Sequence, residues 1–195
     1  EWEIVRTHSL ENDLVGGLMT YLSDSDLIPP EETLSIYLDT LKTMDSTQMG
    51  NYLGLESLLN TSDSAKNSIA SALVEQVHKC LDYQITSCDI PSYNAIVTAE
   101  VTTFDSASIL SDYQNSRDAY LSSVDAVIDG SSKRYEHSLE LLLDSINNNT
   151  STVTSSVTVH LFKDGVSWKL LENSEALGIA IFGTLSTTPV PADPD

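Results

Sequence analysis

The sequence predicts an α+β protein in which N-terminal helices pack on an antiparallel β-sheet, with a helical insertion between strands. Three observations carry this. Apolar residues recur at intervals of three and four through the first eighty positions. The period then drops to two over 94–104 and again over 153–161. Helical spacing returns between those two stretches, and no regular strand–helix–strand alternation links them.

The elements follow in order. Leu10, Leu14, Leu18 and Leu22 form one apolar stripe, so residues 1–27 read as an N-terminal helical extension, weakened at Gly16-Gly17. Asp24-Ser25-Asp26 through Pro29-Pro30 end it. Pro30 suits a helix's first turn, and Glu31 and Glu32 face its positive end. That helix presents Leu34, Tyr37 or Leu38, Leu41 and Met44. A break is expected at Gly50-Asn51, then a short apolar piece from Tyr52 to Leu59. Asn60-Thr61-Ser62-Asp63 caps a long helix whose buried face is Ile69, Leu73, Val77 and Cys80 or Leu81.

Tyr83–Cys88 reads as the first strand and Asn94–Phe104 as the second. In the second, Ala95, Val97, Ala99 and Val101 point one way and Thr98, Glu100 and Thr102 the other. The insertion, about 107–147, carries a stripe of Leu110, Tyr113, Arg117, Tyr120 or Leu121, Val124 and Val127. After Asp129-Gly130 it continues with Tyr135, Leu139, Leu142 or Leu143, and Ile146. Val153 to Leu161 alternates again, and Asp164-Gly165 is a hairpin turn because glycine accepts positive φ. Val166 to Leu171 returns, Ala176 to Phe182 closes the fold, and residues 186–195 form an acidic, proline-containing tail.

Composition excludes some partners. Nine Lys and Arg stand against 29 Asp and Glu, a formal charge of −20. The bases are scattered, with Lys133-Arg134 as the one adjacent pair, so a nucleic-acid backbone or an anionic membrane is not the expected partner. The acids are spread evenly, as on a solvated surface. Ser and Thr total 46 residues, which with the acids suits an exported bacterial protein. The chain opens at Glu1-Trp2-Glu3 without an initiator Met or leader, as expected where a leader was removed or the chain trimmed. Cys80 and Cys88 read either as free thiols or as a bridge between a helix and its following strand.

Motifs for chemistry are sparse. There is no Gly-x-Ser-x-Gly elbow, no His-Glu-x-x-His and no phosphate-binding glycine loop. Asp24-Ser25-Asp26 starts like a calcium loop, but Pro29 and Ser35 occupy the positions that need glycine and glutamate. No cofactor or metal is expected. His8, His78 and His137 read as exposed residues. Asn60-Thr61-Ser62 and Asn148-Asn149-Thr150 match the short glycosylation sequon.

The hairpin Thr158-Val159-His160-Leu161-Phe162-Lys163-Asp164-Gly165-Val166-Ser167-Trp168-Lys169-Leu170, after a helix opening Pro30-Glu31-Glu32, resembles the NTF2-like (cystatin-like α+β) superfamily. Within it, the chain looks like the uncharacterised domains of exported Gram-positive lipoproteins. Lys163, Gly165, Trp168, Lys169 and Leu170 match their closing hairpin, and Ala180-Ile181-Phe182-Gly183 their apolar ending. The resemblance covers 28–185 and implies a sheet curled into a cone around a helix, elaborated here by the 107–147 insertion. It implies an extracellular, cell-surface domain, meeting a membrane only through a lipid anchor outside this chain. Such cones serve binding, assembly or catalysis, so fold alone does not choose.

Two readings follow. In the first, the domain catalyses nothing and binds a small ligand or a protein, with Tyr37, His160 and Trp168 as candidate ligand-binding residues. Tyr37 and Trp168 serve equally as core. In the second, the cone is an isomerase or dehydratase acting on a small hydrophobic substrate, with His160 and Glu100 as acid and base. A homodimer through the sheet face is a further possibility.

Overall fold

The computed structural model describes residues 28–53, 55–59, 63–165, 167–170 and 175–186. The expected 1–27 helix, the Asn60-Thr61-Ser62 sequon and the tail after Ser186 lie outside them. The described elements run α1 (Pro30–Leu41), α2 (Ser46–Leu53), α3 (Glu56–Leu59), α4 (Ser64–Cys80), β1 (Asp82–Asp89), β2 (Asn94–Phe104), α5 (Ser106–Leu121), α6 (Val124–Ile128), α7 (Ser131–Asn148), β3 (Thr152–Asp164), β4 (Ser167–Leu170), α8 (Glu175–Phe182) and a closing 3-10 turn, Gly183–Ser186.

The strands form one antiparallel sheet in the order β1-β2-β3-β4. Alternation decides how it packs. Ala95, Val97, Ala99 and Val101 of β2 and Val157, Val159 and Leu161 of β3 are all buried, while Glu100, Thr154, Ser156, Thr158 and His160 are exposed. Tyr83, Ile85 and Cys88 of β1 continue the buried face. Helices α1, α4 and α8 cover that face; among the described residues the other carries no helix. This is the predicted α+β architecture.

Local chemistry explains the helices. α1 starts with Pro30 at its first positions and Glu31 and Glu32 in its first turn, and buries Leu34, Leu38 and Leu41. Asp63 caps α4, its carboxylate accepting from the N–H groups of Ala65 (2.8 Å) and Lys66 (3.2 Å). The expected break at Gly50-Asn51 does not occur, because α2 runs through it to Leu53. Gly50 answers a packing need instead: a Cβ there would stand 3.1 Å from Leu59 Cβ, so the glycine lets α3 approach closely.

The insertion between β2 and β3 packs on the helical layer. Buried Gln76 of α4 donates from Nε2 to the Ile146 carbonyl of α7 at 2.7 Å, and Leu139, Leu142 and Ile146 join the main core. One expectation within it fails. The stripe foreseen through Val124 and Val127 ends at Leu121, because Ser122 and Ser123 turn the chain. Ser123 then caps the short helix α6, on which both valines are exposed.

The C-terminal segment closes the core. Phe182 meets Phe104 edge-on at 5.8 Å, and Thr103 Oγ1 donates to the Ile181 carbonyl at 3.1 Å. Gly183 has φ 53°, and a Cβ there would collide with Ser106 Oγ. That hydroxyl accepts from the Thr184 N–H at 3.2 Å.

Two outcomes follow. Gly183→Ala should cost about 2 kcal/mol or more in urea unfolding, from a disfavoured φ and a clash with Ser106. Asp105 caps α5, and the Ser108 hydroxyl, with the Ser108 and Ala107 N–H groups, holds its carboxyl below the usual range. Its contribution is therefore complete above the unfolded value, near 4, and is lost as pH falls through the lower folded value. Asp105→Ala should cost about 1 kcal/mol at pH 7, with the gap to the parent protein closing in acid.

Candidate functional site

The uncovered sheet face holds the exposed residues singled out by the sequence. Along most of its length it is a hydroxyl surface. Thr102 and Thr154 bond across strands at 2.7 Å, Thr98 and Thr158 at 3.4 Å, and Thr86 donates to the Thr98 carbonyl at 3.1 Å.

Towards the β3–β4 hairpin its character changes. His160 pairs with Ile96 across the β2–β3 ladder, and Phe162 pairs with Asn94 on β2 and Lys169 on β4. Ile96 and Phe162 are half-buried, and His160 and Lys169 exposed. An ion pair with Asp164 fixes Lys169 and raises its ammonium above the ordinary value. The β1–β2 turn at this end carries exposed Ile90 and Tyr93, and the Tyr93 carbonyl accepts from the Lys163 N–H at 2.7 Å. The result is an imidazole and an ammonium beside an isoleucine and a phenylalanine on rigid strands.

The register keeps His160 and Glu100 apart. Glu100 pairs with Ser156, so the two lie on one face but four residues apart along the ladder, about 13 Å at the rise of a strand. Both side chains are exposed.

The candidate ligand-binding residues are also divided. Trp168 pairs with Lys163 and is buried on the helix-covered side with Leu161. Tyr37 projects from α1 on that side, its ring 5.6 Å from Tyr52. His160 lies across the sheet from both. Ile96 is the residue of this patch that sequence reading passed over. Its signal was an apolar residue in the polar phase of β2, among Thr98, Glu100 and Thr102.

Elsewhere, His78 Nε2 lies 3.1 Å from the Met44 carbonyl, and His137 Nδ1 lies 3.1 Å from Glu140 Oε2. Among the described residues no three His, Cys, Asp or Glu gather as metal ligands. Cys80 and Cys88 are both free thiols. Burial, and after it the Glu31 carboxylate, pushes the Cys88 thiol up to about 11. Because the thiolate is the nucleophile, iodoacetamide should modify Cys88 tens of times more slowly at pH 8 in the native protein than in concentrated urea. Peptide mapping at several pH values should show the native rate climbing towards pH 11; equal rates in both states would contradict this environment.

No family model and no curated protein matches the chain. Among solved structures it is similar to the crystal structure of a "putative lipoprotein (ycdA)" from Bacillus subtilis, at 17% identity and a TM-score of 0.49. The match covers 79% of this chain and 47% of that one, so this chain spans about half that protein's length. No helix among the described residues is long and apolar enough to cross a membrane.

Proposed function

We propose that this chain is an NTF2-like domain of an exported cell-envelope protein that binds a ligand or a protein partner and catalyses nothing. The register of β2 against β3 supports binding over catalysis. It holds the backbones of His160 and Glu100 about 13 Å apart, with both side chains exposed, which favours separate contacts over an acid–base pair. The surface offered for binding is the Ile96, His160 and Phe162 patch, where half-buried apolar side chains lie beside an imidazole and the Lys169 ammonium. A strand surface of this kind presents fixed side chains without needing a cavity. The acidic, hydroxyl-rich composition supports an exported address, and the closing hairpin Lys163-Asp164-Gly165 with Trp168-Lys169 supports the family reading.

The test compares intact masses of the purified protein under native and denaturing conditions. Extra mass lost on denaturation, and absent from a His160→Ala/Phe162→Ala variant with unchanged circular dichroism, is the expected result for a carried ligand. Extra mass retained by that variant would move the site elsewhere. Turnover of any substrate abolished alike by His160→Ala and Glu100→Gln would overturn the binding reading in favour of catalysis.

A further inference from the structure

The tip of the insertion exposes more aliphatic surface than any other described element. On α6, Val124, Val127 and Ile128 are 74%, 81% and 76% exposed, and Leu121, at the end of α5, is 43% exposed. Spacings of three and four put the α6 residues on one helix face, and Leu121 precedes them across the Ser122-Ser123 turn. Such exposure means that they stand proud of the surface and line no groove.

The tip is built to hold them there. Ala126, on the opposite side of α6, is buried. Ser123 Oγ accepts from the Ala126 N–H. Asp129, just after α6, accepts from the Tyr120 hydroxyl at 2.9 Å and lies 3.9 Å from Lys133 Nζ, while its carbonyl accepts from Arg134 Nε at 3.2 Å. The Tyr120 ring packs on His137 at 4.3 Å between centroids. A short helix latched in this way holds its apolar face outward, and a patch of this kind on a folded domain marks a contact surface.

Charge and size indicate what covers it. Residues 117–134 contain Arg117, Lys133 and Arg134 against Asp118, Asp125 and Asp129, so the tip is neutral on a chain of formal charge −20. It lies at the end of the 16-residue helix α5 remote from the β2 junction. The four side chains expose only a few hundred Å², short of the roughly 800 Å² per partner of a stable protein interface. A small, convex, aliphatic knob whose flanking Arg, Lys and Asp residues cancel instead suits shallow insertion into an uncharged lipid surface.

We propose that the α6 tip inserts Leu121, Val124, Val127 and Ile128 into the interfacial region of a bilayer, seating the domain reversibly on a membrane. This surface is separate from the sheet face, and the proposal does not depend on that reading.

The test is cosedimentation with sucrose-loaded phosphatidylcholine vesicles in 0.15 M salt. It uses the parent protein and a Val124→Ser/Val127→Ser/Ile128→Ser variant, whose exposed positions leave the core untouched. The bound fraction should fall at least fivefold in the triple variant and stay unchanged in His160→Ala/Phe162→Ala. Adding phosphatidylglycerol should weaken binding, given the overall charge. No binding by the parent protein, or equal binding by the triple variant, would overturn the proposal. So would a concentration-dependent dimer in sedimentation velocity that the triple variant abolishes, since the tip would then bind a second copy.

Discussion

Everything in this fold rests on one face of one strand. β2 is paired along its length on both sides, and Ala95, Val97, Ala99 and Val101 on its inner face are fully buried. Small and branched residues alternate there, which keeps the surface shallow enough for helices to settle on it. α1, α4 and α8 all reach that face. Because the opposite face of the same residues carries Thr98, Glu100 and Thr102, a one-residue slip would exchange core for surface. The register is therefore strongly specified, and so is the placement of every side chain on the uncovered face.

That constraint divides the functional surface. A pleated strand sends neighbours to opposite sides, so His160 cannot share a site with Trp168, whose side of the sheet is filled by helices. It lies on the same face as Ile96 and Phe162. The same ladder spaces His160 from Glu100 by two full pleats. The sheet offers a rigid array of separated groups, a geometry suited to recognition more than to proton transfer at one atom.

Much of the fold was legible in advance. β2 was readable because the apolar–polar alternation from Val97 to Thr102 has no helical counterpart. α4 was readable from its apolar spacing and the Asp63 cap, and the β3–β4 hairpin from Asp164-Gly165. Two features were not. Gly50 looked like a breaker, since sequence does not reveal that Leu59 would press against it. Val124 and Val127 continued a stripe that Ser122 and Ser123 in fact end, because apolar spacing records residue type and not whether another element waits to cover it. At the candidate site His160 was legible from the alternation that sets it opposite Val159 and Leu161, whereas Ile96 became meaningful only once the register set it beside His160.

The α+β class, the antiparallel strands, the long helices and the acidic composition follow from the order of residues, because periodicity, capping and charge are local properties. Tertiary structure alone decided which face of the sheet the helices cover, that Cys80 and Cys88 stay free, and that the insertion docks on α4 through Gln76 and Ile146. It alone left the α6 tip bare. Those outcomes depend on residues far apart in the chain meeting or failing to meet, and no local pattern records a distance between them.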